Sequence, residues 1–218
     1  MTVADHFSAQ ELEAVRAATR EAEAKTGGEL VCVIVERCDS YEASVWKAAT
    51  LGALGAAALA ALWQALRGGW GFAPVPWVLL PPLVGAALGL LAVLLIPPLR
   101  RLLIPNAVLE RRVDRRAAVA FLDEEIFATR DRSGVLIFVA LFEHQIRILR
   151  DKGIEEKIAP GEWSQIADEL VRGLRRGKPG PALVRAVEEA GALLEQGKVV
   201  RRDDDRNELS DEPRLHDD

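Results

Sequence analysis

Residues 48–66 (AATLGALGAAALAALWQAL) and 77–96 (WVLLPPLVGAALGLLAVLLI) are two apolar stretches of nearly equal length. At 1.5 Å per residue, a helix of about 19 residues reaches roughly 28 Å, which is close to the hydrocarbon thickness of a bilayer. Arg67 is the only charged residue between Ala48 and Ile96. The pattern predicts a two-helix transmembrane hairpin. The alternative, a buried hairpin inside a soluble domain, is disfavoured because a chain of 218 residues could hardly cover it.

Charged residues near the ends of the spans predict the orientation of the hairpin. Lys47 precedes the first span, whereas the connecting loop contains only Arg67. The segment after the second span is rich in arginine: Arg100, Arg101, Arg111, Arg112, Arg115 and Arg116. Because cationic flanks remain in the cytoplasm, we expect a protein of the plasma (inner) membrane with two spans and both termini cytoplasmic. Met1–Gln10 has no apolar run, so the internal segment is expected to direct insertion.

The spans carry interfacial tryptophans and small residues at one-turn spacing. Indole rings prefer the membrane interface, and tryptophans lie near the span ends: Trp46, Trp63, Trp70 and Trp77. The small residues are Ala48, Gly52, Ala56 and Ala60 in the first span, with Gly85 and Gly89 in the second. Such faces let helix backbones approach closely. We expect the two spans to pack against each other; the alternative is homo-oligomerisation or docking on another membrane protein.

The sequence on either side of the hairpin predicts one α/β domain. Before it, a capping box at Ser8–Glu11 begins a helix that ends near Lys25, and Glu29–Glu36 is a buried strand. After it, the predicted elements are a helix at 107–129, strands at 134–142 and 145–149, and helices at 162–175 and 182–196. A single strand makes no sheet, and the later strand pair cannot bury both faces by itself. The two halves must therefore share a sheet on one side of the membrane.

This interpretation divides the chain into four segments. Residues 1–44 and 99–199 are the two parts of a cytoplasmic α/β domain, and residues 45–98 are the transmembrane hairpin. Residues 200–218 are an acidic tail, whose low apolar content predicts disorder or surface packing.

Charge and cysteine content limit the possible functions. The net charge of −5 gives no support to nucleic-acid binding, which needs a basic surface. Only Cys32 and Cys38 are present, and their spacing is not that of a metal site. We interpret them as two reduced thiols, and the alternative is a redox or regulatory disulfide.

No catalytic residue can be identified from a motif, because the signatures of nucleophilic and phosphate-binding sites are missing. Open α/β sheets place ligands beyond the carboxyl ends of their strands. Acidic residues follow the predicted strands: Glu36 and Asp39 after the first, Asp151 and Glu155 after the last, with Glu143 at the turn between the later two. If these loops converge, the carboxylates could hold Mg²⁺ or Ca²⁺. The alternative is that they are solvated loop residues.

Several stretches resemble one family, the TPM domain of thylakoid-lumen and bacterial envelope proteins. They are 26–35 (TGGELVCVIV), 133–141 (SGVLIFVAL) with 145–148 (QIRI), 151–155 (DKGIE), 182–187 (ALVRAV) and 204–209 (DDRNEL). The resemblance implies a mixed sheet packed with helices, here interrupted by the transmembrane hairpin. It also implies two kinds of role, since some relatives are described as acid phosphatases or calcium binders and others as assembly or modulator factors.

Two functions are therefore expected. The first is a membrane-anchored, non-enzymatic binding or assembly factor at the inner face of a bacterial membrane, which contacts lipid headgroups, a membrane protein or a second copy of itself. The alternative is a divalent-metal-dependent phosphatase acting near the membrane. About eleven residues join Glu36 to Ala48, so the carboxyl end of the first strand is expected to face the bilayer. That position favours interaction over turnover of a diffusing metabolite.

Overall fold

A computed structural model describes residues 3–67, 74–199, 201 and 207–217. The chain forms two compact units, one of Met1–Asp39 with Glu110–Asp218 and one of Ser40–Leu109. The first unit contains sequence from both sides of the apolar hairpin, as the requirement for a shared sheet predicts. Trp70 and residues 204–206, which entered the sequence predictions, lie outside the described residues.

The first unit is built from helices and short strands in a mixed order. Before the hairpin come α1 (Ala9–Lys25) and β1 (Glu29–Val35). After it come α5 (Asn106–Asp123), β2 (Gly134–Ala140), β3 (Gln145–Arg150), α6 (Lys152–Glu155), α7 (Pro160–Arg175), α8 (Pro179–Gln196) and β4 (Arg214–His216). The hairpin unit lies between β1 and α5 and contains α2 (Glu42–Leu66), α3 (Val75–Leu95) and α4 (Pro97–Leu102).

The four strands form one mixed sheet in the order β3-β2-β1-β4. β1 pairs parallel to β2, with Glu29 opposite Gly134 and Val35 opposite Ala140. β3 returns antiparallel to β2, and β4 adds parallel to the other edge of β1. Because β1 and β2 are parallel, the connection between them must cross over the sheet. The apolar hairpin is inserted into this crossover, before α5. The predicted mixed α/β fold with a helical interruption is therefore confirmed.

Both faces of the sheet are covered by helices. One face buries Leu30, Cys32 and Ile34 of β1 against residues of α1, α7 and α8. The other buries the alternate residues of β1 with Val113 and Ala117 of α5. Every residue of β1 and β2 is buried, which explains why their sequences are continuous apolar runs without alternation. The arrangement is a three-layer α/β/α sandwich.

The hairpin unit exposes most of its apolar side chains. Both α2 and α3 are long and apolar enough to cross a membrane. Only 6% of the apolar stretch of α2 and 11% of the apolar stretch of α3 are buried. Leu54 is 63% exposed and Leu88 is 60% exposed. The hairpin is therefore not the buried core of a soluble domain.

The two long helices pack backbone to backbone through their glycines. A Cβ built on Gly52 would lie 2.1 Å from the carbonyl oxygen of Gly85, and one on Gly89 would lie 2.3 Å from that of Ala48. No larger side chain fits at these positions. The small residues thus bring α2 and α3 together, which was the first of the two expectations.

Several element boundaries differ from the sequence predictions, and one strand was missed. The helix predicted to reach residue 129 ends at Asp123, and a 3₁₀ turn at Ile126–Ala128 follows. The helix predicted from residue 182 begins at Pro179, because proline is tolerated in the first helical turn, where its missing N–H has no intrahelical partner. β4 was missed within the tail: three residues are too few for a periodic signal, and its pairing with β1 arises only in the folded chain.

We predict that Gly52→Leu destabilises the hairpin by about 1–3 kcal/mol, because the new side chain would collide with the α3 backbone. The measurement is unfolding of the full chain in mixed detergent and SDS micelles. Gly55→Leu is the matched control, since a Cβ at Gly55 has no neighbour within 4 Å. Equal stability of the two variants would contradict the packing described.

Candidate functional site

The carboxyl end of β1 brings together acids, arginines and a thiol. Glu36 and Asp39 follow β1 directly, and Glu143 lies in the adjacent turn between β2 and β3. The backbone N–H of Phe142 donates to the carbonyl of Glu36 at 2.8 Å, which joins the two loops. This is the end of the sheet at which a crossover fold places its ligands.

Asp39 forms an ion pair at this end. Its Oδ2 lies 2.7 Å from Nε of Arg112, which is in the first turns of α5. Asp39 is the last residue before the chain leaves the first unit, and α5 is the helix by which the chain returns to it. The ion pair holds these two parts of the chain together. Asp39 therefore has a structural partner of its own.

Glu143 organises the loop after β1. Its side chain is fully buried, and Oε1 accepts a hydrogen bond from the backbone N–H of Cys38 at 2.8 Å. Burial, and then the negative charge of Glu143, raise the pKa of the Cys38 thiol above its usual range, although Arg116 and Arg147 act in the opposite direction. The carboxylate thus fixes loop geometry and disfavours a thiolate beside it.

Cys32 is equally unsuited to nucleophilic chemistry. Burial raises the pKa of its thiol to about 12, and the charge of Glu23 adds to this effect. Both cysteines are free: Cys32 lies in the core cluster with α1 and α8, whereas Cys38 packs on the opposite cluster with α5. The expectation of two reduced thiols agrees with this arrangement. A thiol that stays protonated at neutral pH is a poor nucleophile.

Asp151 and Glu155 lie at the other end of the sheet. The backbone N–H of Asp151 donates to the carbonyl of Gly134, the first residue of β2. Oδ1 of Asp151 accepts from the backbone N–H of Lys152, and Oδ2 lies 2.7 Å from Nε of Arg132. Glu155 lies 3.4 Å from Nη2 of Arg150. Asp151 is thus a helix cap whose buried carboxylate pairs with the exposed side chain of Arg132.

The structure divides the four predicted metal ligands into two pairs. Glu36 and Asp39 follow the last residue of β1, whereas Asp151 and Glu155 follow the last residue of β3, which is level with the first residue of β1 and about 20 Å away along the strand. The physical reason is that β3 is antiparallel, so its carboxyl end lies where β1 and β2 begin. Across residues 3–67, 74–199, 201 and 207–217, no group of three His, Cys, Asp or Glu side chains could hold a metal ion.

Glu23 is a buried acid that the sequence analysis missed. It lies on the inward face of α1, and its Oε1 accepts a hydrogen bond from the N–H of Leu30 at 2.8 Å. Burial raises its pKa to about 9, the Leu30 hydrogen bond opposes this, and the charge of Glu29 adds to it. Its spacing with Val15 and Thr19, both buried, could have indicated an inward position.

Both the sequence and the fold of this chain resemble known proteins. Residues 102–193 match the family model of the TPM domain. The fold resembles that of the BA42 protein from the psychrophilic bacterium Bizionia argentinensis, solved by NMR, with 19% identity and a TM-score of 0.56 over 95% of this chain and 94% of that chain. No curated protein sequence matches the chain. The resemblance to the TPM domain that the sequence predicted is confirmed.

We predict that neither cysteine reacts with iodoacetamide at about pH 8 in the folded protein, because the pKa of each thiol is raised by burial. The intact mass should show no alkylation until the chain is denatured, when both thiols should react. Rapid alkylation of native Cys38 would contradict the site described.

We predict that Glu23→Gln reduces the pH dependence of stability. The folded-state pKa of Glu23 is raised from 4.5 to about 9, so the folded chain holds the proton more tightly than the unfolded one. Stability should therefore fall as pH rises between these values and level off above about 9. Glutamine cannot titrate, and its amide oxygen can still accept from Leu30.

The measurement is the unfolding midpoint of the full chain in detergent as a function of pH. Glu21→Gln is the matched control, because Glu21 is on the same helix and its pKa is lowered by its hydrogen bond and charge interaction with Lys25. Loss of Glu21 should leave the slope above about pH 5 unchanged. An unchanged slope in the Glu23 variant would show that this carboxyl is ionised in the folded state.

Proposed function

We propose that this chain, of which residues 102–193 match the TPM-domain family model, is a membrane-anchored, non-enzymatic binding or assembly module at the inner face of a bacterial membrane. The observation that carries the proposal is the insertion of two exposed apolar helices into the crossover between β1 and β2. The inserted pair anchors the α/β unit without interrupting its sheet.

Membrane insertion is supported by the exposure of the hairpin. Leucines such as Leu59 and Leu83 are 69% and 65% exposed, and their neighbours along both helices are similarly uncovered. Each Å² of apolar surface left in water costs about 25 cal/mol, so two such helices would be strongly unfavourable in solution. A bilayer removes this cost. The internal packing of Gly52 and Gly85 leaves the leucine surfaces to face lipid.

The orientation is inferred from the flanking charges and the sheet. β1 and β2 pair within one unit, so the spans between them must be even in number. The cations are concentrated outside the hairpin, at Lys47 and in the arginine-rich segment after residue 96. These two features support a cytoplasmic location for both termini.

A binding role has more support than catalysis. Both thiols have raised pKa values, and Asp39, Asp151 and Glu155 each form an ion pair with arginine. The metal-dependent phosphatase alternative would need its acids in one place. The four predicted ligands are divided between opposite ends of the sheet, so no observation favours that alternative.

The orientation can be tested with single cysteine substitutions. Gly161→Cys lies in α7, where a new side chain meets no atom within 4 Å, and Arg67→Cys lies at the end of α2. A membrane-impermeant maleimide should label Arg67→Cys in intact cells and Gly161→Cys only after permeabilisation. The two native cysteines should not be labelled in the folded protein, because Cys32 is buried and Cys38 is partly buried. Labelling of Gly161→Cys in intact cells would contradict the proposal.

The binding role can be tested on the full chain in mild detergent. We expect one partner, or a second differently tagged copy, to co-purify in independent preparations, and no hydrolysis of a generic phosphoester with Mg²⁺ or Ca²⁺. Phosphoester hydrolysis that disappears in the Glu36→Gln and Asp39→Asn double variant would instead favour the enzyme. Repeated recovery of the chain alone as a monomer would count against an assembly role.

A further inference from the structure

A surface groove runs between the second half of α7 and the first half of α8. Its volume is about 530 Å³, and its rim carries four cations and two acids: Arg172, Arg176, Lys178, Arg185, Glu169 and Glu189. The helices touch at its floor, since a Cβ on Gly173 would lie 2.2 Å from that of Ala182.

The cations of the groove form few and weak ion pairs with other described residues. Arg172 lies 3.5 Å from Glu169, with both side chains more than half exposed, and such surface pairs contribute little. Among the described residues, neither Arg176 nor Lys178 forms an ion pair, and both are exposed. Arg185 is exposed and lies near Glu189, whose pKa is raised by burial and then by the charge of Glu169. The groove therefore presents an excess of positive charge to solvent.

The groove is at the end of the sheet where β1 ends. The start of α8 lies beside the start of α1, since a Cβ on Gly180 would lie 2.4 Å from the carboxyl group of Glu11. The C-terminal halves of the same two helices also meet, at Gly191 of α8 and Ala22 of α1. The helices α1 and α8 therefore run in the same direction. β1 follows α1 after a short turn and runs back, so the beginning of α8 is at the carboxyl end of β1.

The chain also leaves the first unit at this end. Asp39 follows β1 and pairs with Arg112 at the start of α5, so the exit toward the hairpin and the return from it are adjacent. If the hairpin spans the bilayer, the chain passes to and from the membrane at the end of the unit that carries the groove, so this end is tethered to the bilayer by two connections. This step depends on the proposed function.

We propose that the α7–α8 groove binds the phosphate groups of anionic phospholipid headgroups in the cytoplasmic leaflet. The net charge of −5 would repel the chain from an anionic surface, so attraction requires a local set of cations. All four cations are exposed, an arrangement that acts through summed surface attraction rather than tight enclosure of one soluble phosphate. Tethering by the hairpin supplies the high effective headgroup concentration that such weak contacts need.

The test uses the full chain in nanodiscs of phosphatidylcholine, with or without about one third phosphatidylglycerol. The measurement is the rate at which an amine-reactive reagent modifies Lys178, followed by peptide mass spectrometry. We expect anionic discs to slow modification about fivefold, the factor expected of one cation near such a surface, and salt to reverse the effect. Arg176→Glu should remove most of the protection.

The controls lie at the opposite end of the sheet. Lys152 and Lys157 are exposed there and should be modified equally in both discs, and Lys157→Glu should leave the protection of Lys178 unchanged. Equal modification of Lys178 in both discs would overturn the inference. Protection by inorganic phosphate in neutral discs would overturn it in favour of a soluble phosphate compound.

The same samples separate this inference from the proposed function. A chain that enters the discs with Arg67 and Gly161 on opposite faces, yet shows no protection of Lys178, refutes the groove alone. A chain that does not span the discs refutes the anchor, and with it the inference.

Discussion

The parallel pairing of β1 with β2 is the constraint on which the rest of the structure depends. The two strands are separated by nearly a hundred residues that include the apolar hairpin, yet they are hydrogen-bonded neighbours along their whole length. Strand pairing of this kind requires both partners in one compartment. The hairpin can therefore cross a membrane only as a pair, and it lies in the crossover, the one long connection that a parallel pair needs in any case.

This placement explains how an α/β unit tolerates so large an insertion. The insertion enters after β1 and before the inward-facing part of α5, so no strand or core helix is divided. The two helices of the insertion pack against each other through glycine contacts. The sheet in turn buries Val31 and Leu136 fully on the α5 side. The two units thus have different sources of stability. Burial of apolar side chains from water stabilises the α/β unit, and close backbone packing stabilises the hairpin unit.

Much of the fold could be predicted from the sequence, because apolar runs without alternation identify strands that are covered on both faces. GVLIFVA and ELVCVIV are such runs, and both are buried throughout. The site could be predicted less well. Asp151 follows a strand just as Glu36 does, and the sequence does not show that β1 runs parallel to β2 and therefore opposite to β3. Glu23 was missed because a single carboxylate on a buried helix face resembles a surface residue until its environment is known.

The most direct measurement of the central claim is the contact between β1 and β2 in the full chain within a bilayer nanodisc. NMR should show backbone contacts that pair Val33 with Phe138 and Cys32 with Ile137, in the register of the parallel sheet. Mixing differently labelled chains should show that these contacts arise within one molecule. Absence of the contacts, or their appearance only between molecules, would contradict a single sheet built from both sides of the hairpin.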